Sequence, residues 1–185
     1  MTNTALVHHR WSRSEYERMA VAGVFAPEDR LELIDGEIWE ITPQSSLHAT
    51  AVRKAEEALR SVFEEGFDVR VQLPMALGPD SEPEPDVAVV PGHLEDYRDA
   101  HPCRAALVVE ISDSSLDYDR STKARLYAAN DIGEYWIVNL VDSHIVIYRQ
   151  SDGGEFRQQM MLGIGDSISP LANPDEETTA TDLLP

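Results

Sequence analysis

The sequence predicts an α/β or α+β protein, a β-sheet with helices packed on it, and three observations carry that reading. Two nearly continuous apolar runs, "PDVAVV" (85–90) and "AALVVEIS" (105–112), read as central strands covered on both faces. Two longer stretches carry helix start and stop signals: Ser45 or Ser46 to Gly66, and Asp117 or Asp119 to Asn130 and Gly133. Two short apolar pairs are joined at tight turns, at Asp35-Gly36 and near Asp142-Ser143, and read as hairpins.

In chain order, residues 1–10 are expected to form a flexible arm. A helix then starts at Ser12, where Glu15 completes a capping box, and ends near Gly23. Leu31–Ile34 and Glu37–Ile41 form the first hairpin. The long helix that follows carries an apolar stripe of Leu47, Ala51, Ala55, Ala58, Leu59, Val62 and Phe63. "DVRVQLPMAL" alternates as a strand, the two central strands come next, and "PGHLEDYRDAHPC" between them is a loop with at most a short helical turn. The second long helix and the second hairpin, "EYWIVNLVDSHIVIYRQ", complete the sheet, with a weaker strand or two in "SDGGEFRQQMMLGIGDSI". Residues 11–172 are expected as one domain. Residues 173–185 are expected as an acidic flexible tail in which Leu183 and Leu184 are able to dock.

A chain of 185 residues is long enough for one ordinary core. No apolar run reaches the roughly 20 residues of a membrane helix, and the N-terminus has no signal-peptide core. Cys103 is the single cysteine, so no internal disulfide forms. These features point to the cytoplasm and away from a membrane. The charge is -19, from 34 acidic and 15 basic residues. Such a surface repels polyanions and disfavours broad nucleic-acid binding, but it suits a cation.

Glu110, within "AALVVEIS", is the residue that asks for an explanation. A buried carboxylate left ionised and unpaired costs several kcal/mol, so it reaches water or it has a partner. Asp86 opens the other central strand. If the two strands are neighbours, both acids enter one cleft and compete for ionisation, a conflict that a divalent cation resolves. Lys123 and Tyr127 share a face of the following helix and are placed to point at the same cleft. Glu32 on the first hairpin and His48 in the first turn of the long helix are further candidates. A helix N-terminus disfavours imidazolium, so His48 is expected neutral. Taken singly, Asp86 also reads as a solvated strand-end acid, Lys123 as an exposed helical lysine, His48 as a surface histidine, and Glu32 as a solvent-facing residue. No zinc signature, P-loop or nucleophile elbow is present.

The ordered set "RLELIDGEIWEI", "PQSSLH", "EPDVAVV", "LVVEISDSS", "DRSTKARLYAANDIGEYWIVNL" and "IVIYR", from about Trp11 to about Ser169, resembles the Uma2 family, formerly DUF820. That family is similar to the PD-(D/E)xK restriction endonucleases. The resemblance implies a restriction endonuclease-like mixed β-sheet flanked by helices, with an N-terminal β-hairpin. It also implies a nuclease-like site using Mg²⁺ or Mn²⁺, held by Asp86 and Glu110. The superfamily lysine two residues beyond the second acid is absent, since Ser112 stands there; the family's lysine on the next helix maps to Lys123. Glu32 and His48 match the family's acid and histidine, and complete the expected catalytic set of Asp86, Glu110, Lys123, His48 and Glu32, with Tyr127 in support. Two departures stand out: Asp113 where proline is usual, and Asn139 where aspartate is common. The implied function is a divalent-metal-dependent endonuclease or phosphodiesterase acting on DNA. Two alternatives are a non-catalytic binding or assembly module that retains the fold, and a metal-dependent hydrolase of a small phosphorylated substrate. A homodimer is expected, with "EYWIVNLVDSHIVIY" as apolar strand surface.

Overall fold

The computed structural model describes residues 7–185. The expectation of a flexible arm falls partly on residues 1–6, which lie outside the described residues. Helix α1 (Arg13–Val21) opens with the anticipated Ser12/Glu15 capping box. Strands β1 (Leu31–Ile34) and β2 (Glu37–Glu40) pair across Asp35 and Gly36. Both turn residues have positive φ, the geometry that makes Asp-Gly a favoured two-residue turn. Helix α2 (Ser46–Val62) follows, its first turn capped by the Ser45 hydroxyl accepting from the His48 N–H.

The main sheet has six strands: β3 (Phe67–Val71), β4 (Val87–Pro91), β5 (Leu107–Ser112), β6 (Glu134–Asn139), β7 (His144–Asp152) and β8 (Glu155–Leu162). They lie in spatial order β3-β4-β5-β6-β7-β8. Only β5 and β6 run parallel, and the crossover between them is helical. That crossover is α3 (Leu116–Tyr118), a π-helical turn (Asp119–Lys123) and α4 (Ala124–Ala129), end to end. The "DVRVQLPMAL" strand is shorter than its alternation suggests. It stops where Gln72 turns to a φ of 51° and its N–H meets the Pro85 and Asp86 carbonyls.

The apolar strands are covered on both faces, as continuous hydrophobic runs require. On one face, Val87, Val89, Leu107, Val109 and Ile111 pack against Ala51, Ala55 and Leu59 of α2. On the other, Ala88, Val90 and Val108 pack with Leu126 and Tyr127 of α4 and with Met75 and Leu77. Glu110 belongs by alternation to this second face.

One expectation changes. The acidic tail is not a loose end: β9 (Ser167–Ile168) pairs with β10 (Thr178–Thr179), and α5 (Ala180–Leu183) follows. Leu183 and Leu184 are buried in the α2-side core, so their apolar burial outweighs the polar composition around them. Within the stretch offered as apolar strand surface, every residue of β6 is buried, because the strand is central in the sheet, while Val141 stays exposed. Among the described residues no helix is long and apolar enough to cross a membrane.

The β1–β2 hairpin is tied to the strap before β4 by Leu33 and Glu82, which exchange backbone hydrogen bonds. Burial, reinforced by Glu17, pushes the Glu82 carboxyl up to about 7. The folded protein thus keeps a proton that the unfolded chain releases above its ordinary carboxylate pKa. Stability falls as pH rises from that value to about 7, and the whole penalty is present above it. Glu82→Gln is expected to raise the thermal midpoint by about 2–4 °C at pH 8 and by far less at pH 4. Leu183→Ala is expected to cost about 2–5 kcal/mol in denaturant unfolding, where a loose tail would cost nothing.

Candidate active site

Strand pairing builds the site. β4 and β5 are antiparallel with Val87 opposite Val109, so one step further sets Asp86 opposite Glu110. The Asp86 N–H donates to Glu110 Oε2 at 3.2 Å, and the Ile111 N–H donates to Asp86 Oδ2 at 2.9 Å. Glu110 thus accepts from the backbone of Asp86, and Asp86 from the backbone of the residue after Glu110.

Glu110 is 4 % exposed, so it does not reach water freely. Its Oε1 accepts from Lys123 Nζ at 3.0 Å and from the Tyr127 hydroxyl at 2.6 Å. Lys123 also donates to Glu32 Oε2 at 3.0 Å. One buried ammonium thus bridges an acid of the central sheet and an acid of the hairpin. Burial works against the charge on Lys123, but Glu110 and Glu32 outweigh it and hold its pKa well above the ordinary value. Burial pushes Glu110 up to about 8, with Lys123 opposing.

Asp86 is shifted the other way. Burial would raise its pKa, but the His48 ring, the Ile111 N–H and the Gln72 amide prevail and lower it. His48 Nε2 lies 3.3 Å from Asp86 Oδ2, and Gln72 Nε2 donates to Asp86 Oδ1 at 3.1 Å. For His48, burial disfavours the imidazolium, yet the Asp86 carboxylate outweighs it and raises the pKa. The helix N-terminus disfavours the imidazolium, and the Asp86 carboxylate at contact distance acts in the opposite direction.

All six residues singled out in the sequence converge: Asp86, Glu110, Lys123, Glu32, His48 and Tyr127 form one connected cluster. Three contributors went unseen. Gln72 sits at the positive-φ end of β3, and nothing in an alternating strand marks such a kink. Asp119 does not cap its helix as expected. Its carboxylate is buried and accepts from the Ser112 and Ser115 hydroxyls, the latter at 2.6 Å. Tyr118 packs its ring on Trp39 across the cavity wall. The Ser112–Asp119 spacing, a serine facing an acid seven residues on, was the one available signal.

The cluster opens into a cavity of about 370 Å³. Seven carboxylate side chains line it against two permanent cations, Arg30 and Lys123. Among the described residues no three His, Cys, Asp or Glu side chains surround a common point as a closed metal cage. Asp86 and Glu110 are the carboxylates that could hold a metal there. Two hard oxygen donors beside an acidic cavity suit a divalent cation that draws the rest of its shell from water and substrate.

A mixed sheet flanked by helices, with paired acids where β4 meets β5, places this chain in the restriction endonuclease-like class of folds. The Uma2 family model, whose description reads "Putative restriction endonuclease", matches residues 13–180, and the chain belongs to that family. The 1.96 Å crystal structure of "a putative nuclease belonging to DUF820" from Anabaena variabilis ATCC 29413 is similar at a TM-score of 0.73. The match has 15% sequence identity and covers 93% of this chain and 96% of that one, a likeness of fold. No curated protein matches the chain.

Removing Lys123 would leave Glu32 and Glu110 buried without their cation. Lys123→Ala is expected to cost about 3–5 kcal/mol. Denaturant unfolding reads the loss.

Proposed function

We propose that this protein is a divalent-metal-dependent phosphodiester hydrolase of the nuclease type, with DNA as the substrate class. The observation that carries this reading is the bridge from Lys123 to Glu110, with Asp86 hydrogen-bonded beside it. It supplies from the next helix the cation that the superfamily pattern puts on the strand. Asp86 and Glu110 would hold Mg²⁺ or Mn²⁺, which when bound supplies Lewis acidity and lowers the pKa of water. Lys123, kept cationic, orients the attacking water or neutralises a non-bridging phosphate oxygen. Tyr127 fixes the Glu110 carboxylate that Lys123 pairs with. His48, on the ionised Asp86, is placed to exchange a proton at the cavity wall. Glu32 holds Lys123 from the hairpin side.

The test is cleavage of single- and double-stranded DNA with Mg²⁺ or Mn²⁺ by the wild type, Asp86→Asn and Lys123→Ala. Each substitution is expected to lower the rate on the order of 100-fold or more. Rates unchanged by both overturn the assignment. Calorimetry that detects no Mn²⁺ binding dependent on Asp86 would favour the non-catalytic module instead.

A further inference from the structure

The cavity has an aromatic rim that the hydrolytic chemistry does not use. Glu32 and Trp39 are direct partners in the β1–β2 register, so both side chains stand on one face of the hairpin. Glu32 reaches down to Lys123 at the floor. Trp39 lines the same cavity and stays 44% exposed. Its ring rests on Tyr118, with centroids 5.4 Å apart and planes at 51°. Tyr118 immediately precedes the π-helical turn that carries Lys123. The Tyr118 hydroxyl is buried and has no hydrogen-bond partner. A large indole held half-open by a second ring, above a hydroxyl with an unused donor, is an arrangement for stacking a flat group whose polar end reaches inward.

Electrostatics selects the ligand. A chain of charge -19, with seven carboxylates around the cavity, gains little from a row of phosphates. Affinity must then come from contacts that do not depend on charge. Base–aromatic stacking is the non-electrostatic term of that size available to a nucleic acid. A cavity of about 370 Å³ suits one nucleotide, within the usual range for small-molecule sites.

We infer that the site accepts a single unpaired nucleotide, free or at the end of a strand, with its base on Trp39 and its phosphate directed toward Lys123. The inference rests on the hydrolase reading for the place of the phosphate. Arg30, the other permanent cation of the lining, and the Tyr118 hydroxyl are further donors in the same lining.

Calorimetry on the full chain with Mn²⁺ tests it, using thymidine 5′-monophosphate and base-free 2-deoxyribose 5-phosphate as probes. The nucleotide is expected to bind at least tenfold more tightly than the sugar phosphate. Trp39→Ala is expected to erase that margin, while Trp39→Phe, still aromatic, keeps most of it and serves as the folding control. Equal binding of the two probes, unchanged nucleotide affinity in Trp39→Ala, or no nucleotide binding by the wild type overturns the inference. A short single strand and the mononucleotide then separate a strand end from a free nucleotide as the source. A blunt duplex that binds more tightly than both, with a steep salt dependence, overturns it as well. Asp86-dependent cleavage that is indifferent to residue 39 and to the base removes the stacking site and leaves the hydrolase. Trp39-dependent binding without cleavage of any substrate removes the hydrolase and leaves a nucleotide-binding site.

Discussion

A carboxylate on a central strand dictates much of this molecule. Glu110 sits between Val109 and Ile111, in a strand whose six residues are all buried. Dehydrating it is costly, and pairing alone repays that cost only when its lone pairs are also satisfied. The structure answers with three donors: the Lys123 ammonium, the Tyr127 hydroxyl and the Asp86 N–H. Each donor fixes another part of the fold. Lys123 and Tyr127 set the phase of the crossover helix, and the Asp86 N–H sets the β4–β5 register. Glu32, sharing Lys123, draws the small hairpin onto the main sheet.

The same arrangement separates two acids that stand opposite each other. Asp86 receives the His48 ring, a backbone N–H and an amide, and its pKa falls; Glu110 is the more enclosed, and burial drives it up. Paired acids whose surroundings push them apart are a recurrent mark of sites that handle protons and charge. Here the division follows from depth. Asp86 lies just before β4, where α2 and the end of β3 supply donors, whereas Glu110 lies within β5 under the crossover helix.

Much of this was legible in the sequence because local chemistry and burial agree. Asp35-Gly36 specified its turn, Ser12 and Glu15 their cap, and the apolar runs their central places. The acid pair was legible because a glutamate among valines has few explanations. Other features were not, and the reasons are physical. The tail reads as polar because its two leucines are few, yet a core groove beside α2 needs only those two. The Gln72 kink depends on carbonyls that the strap brings to it, so no window around residue 72 contains the cause. The Asp86 contact that raises His48 is not legible either, because the helix of His48 is local in sequence and Asp86 is not.

Ser112 shows how the displaced lysine is accommodated. In the superfamily pattern its position carries the cation, directly on the strand. Here its hydroxyl donates to Asp119, which begins the π-helical turn, and Ser115 donates to the same carboxylate. π-helical turns cost regular hydrogen bonding and are found mostly where a site requires them. In this one the Ala124 N–H reaches back to the Asp119 carbonyl, and both Asp119 and Lys123 are buried. The Tyr135 hydroxyl donates to that same carbonyl at 3.2 Å from the neighbouring parallel strand. Asp119 therefore anchors the turn at the strand position the lysine vacated, and the turn delivers Lys123 to Glu110 from above. A serine, an acid and an irregular turn together thus set the helix from which Lys123 reaches Glu110, so Lys123 is read together with Ser112.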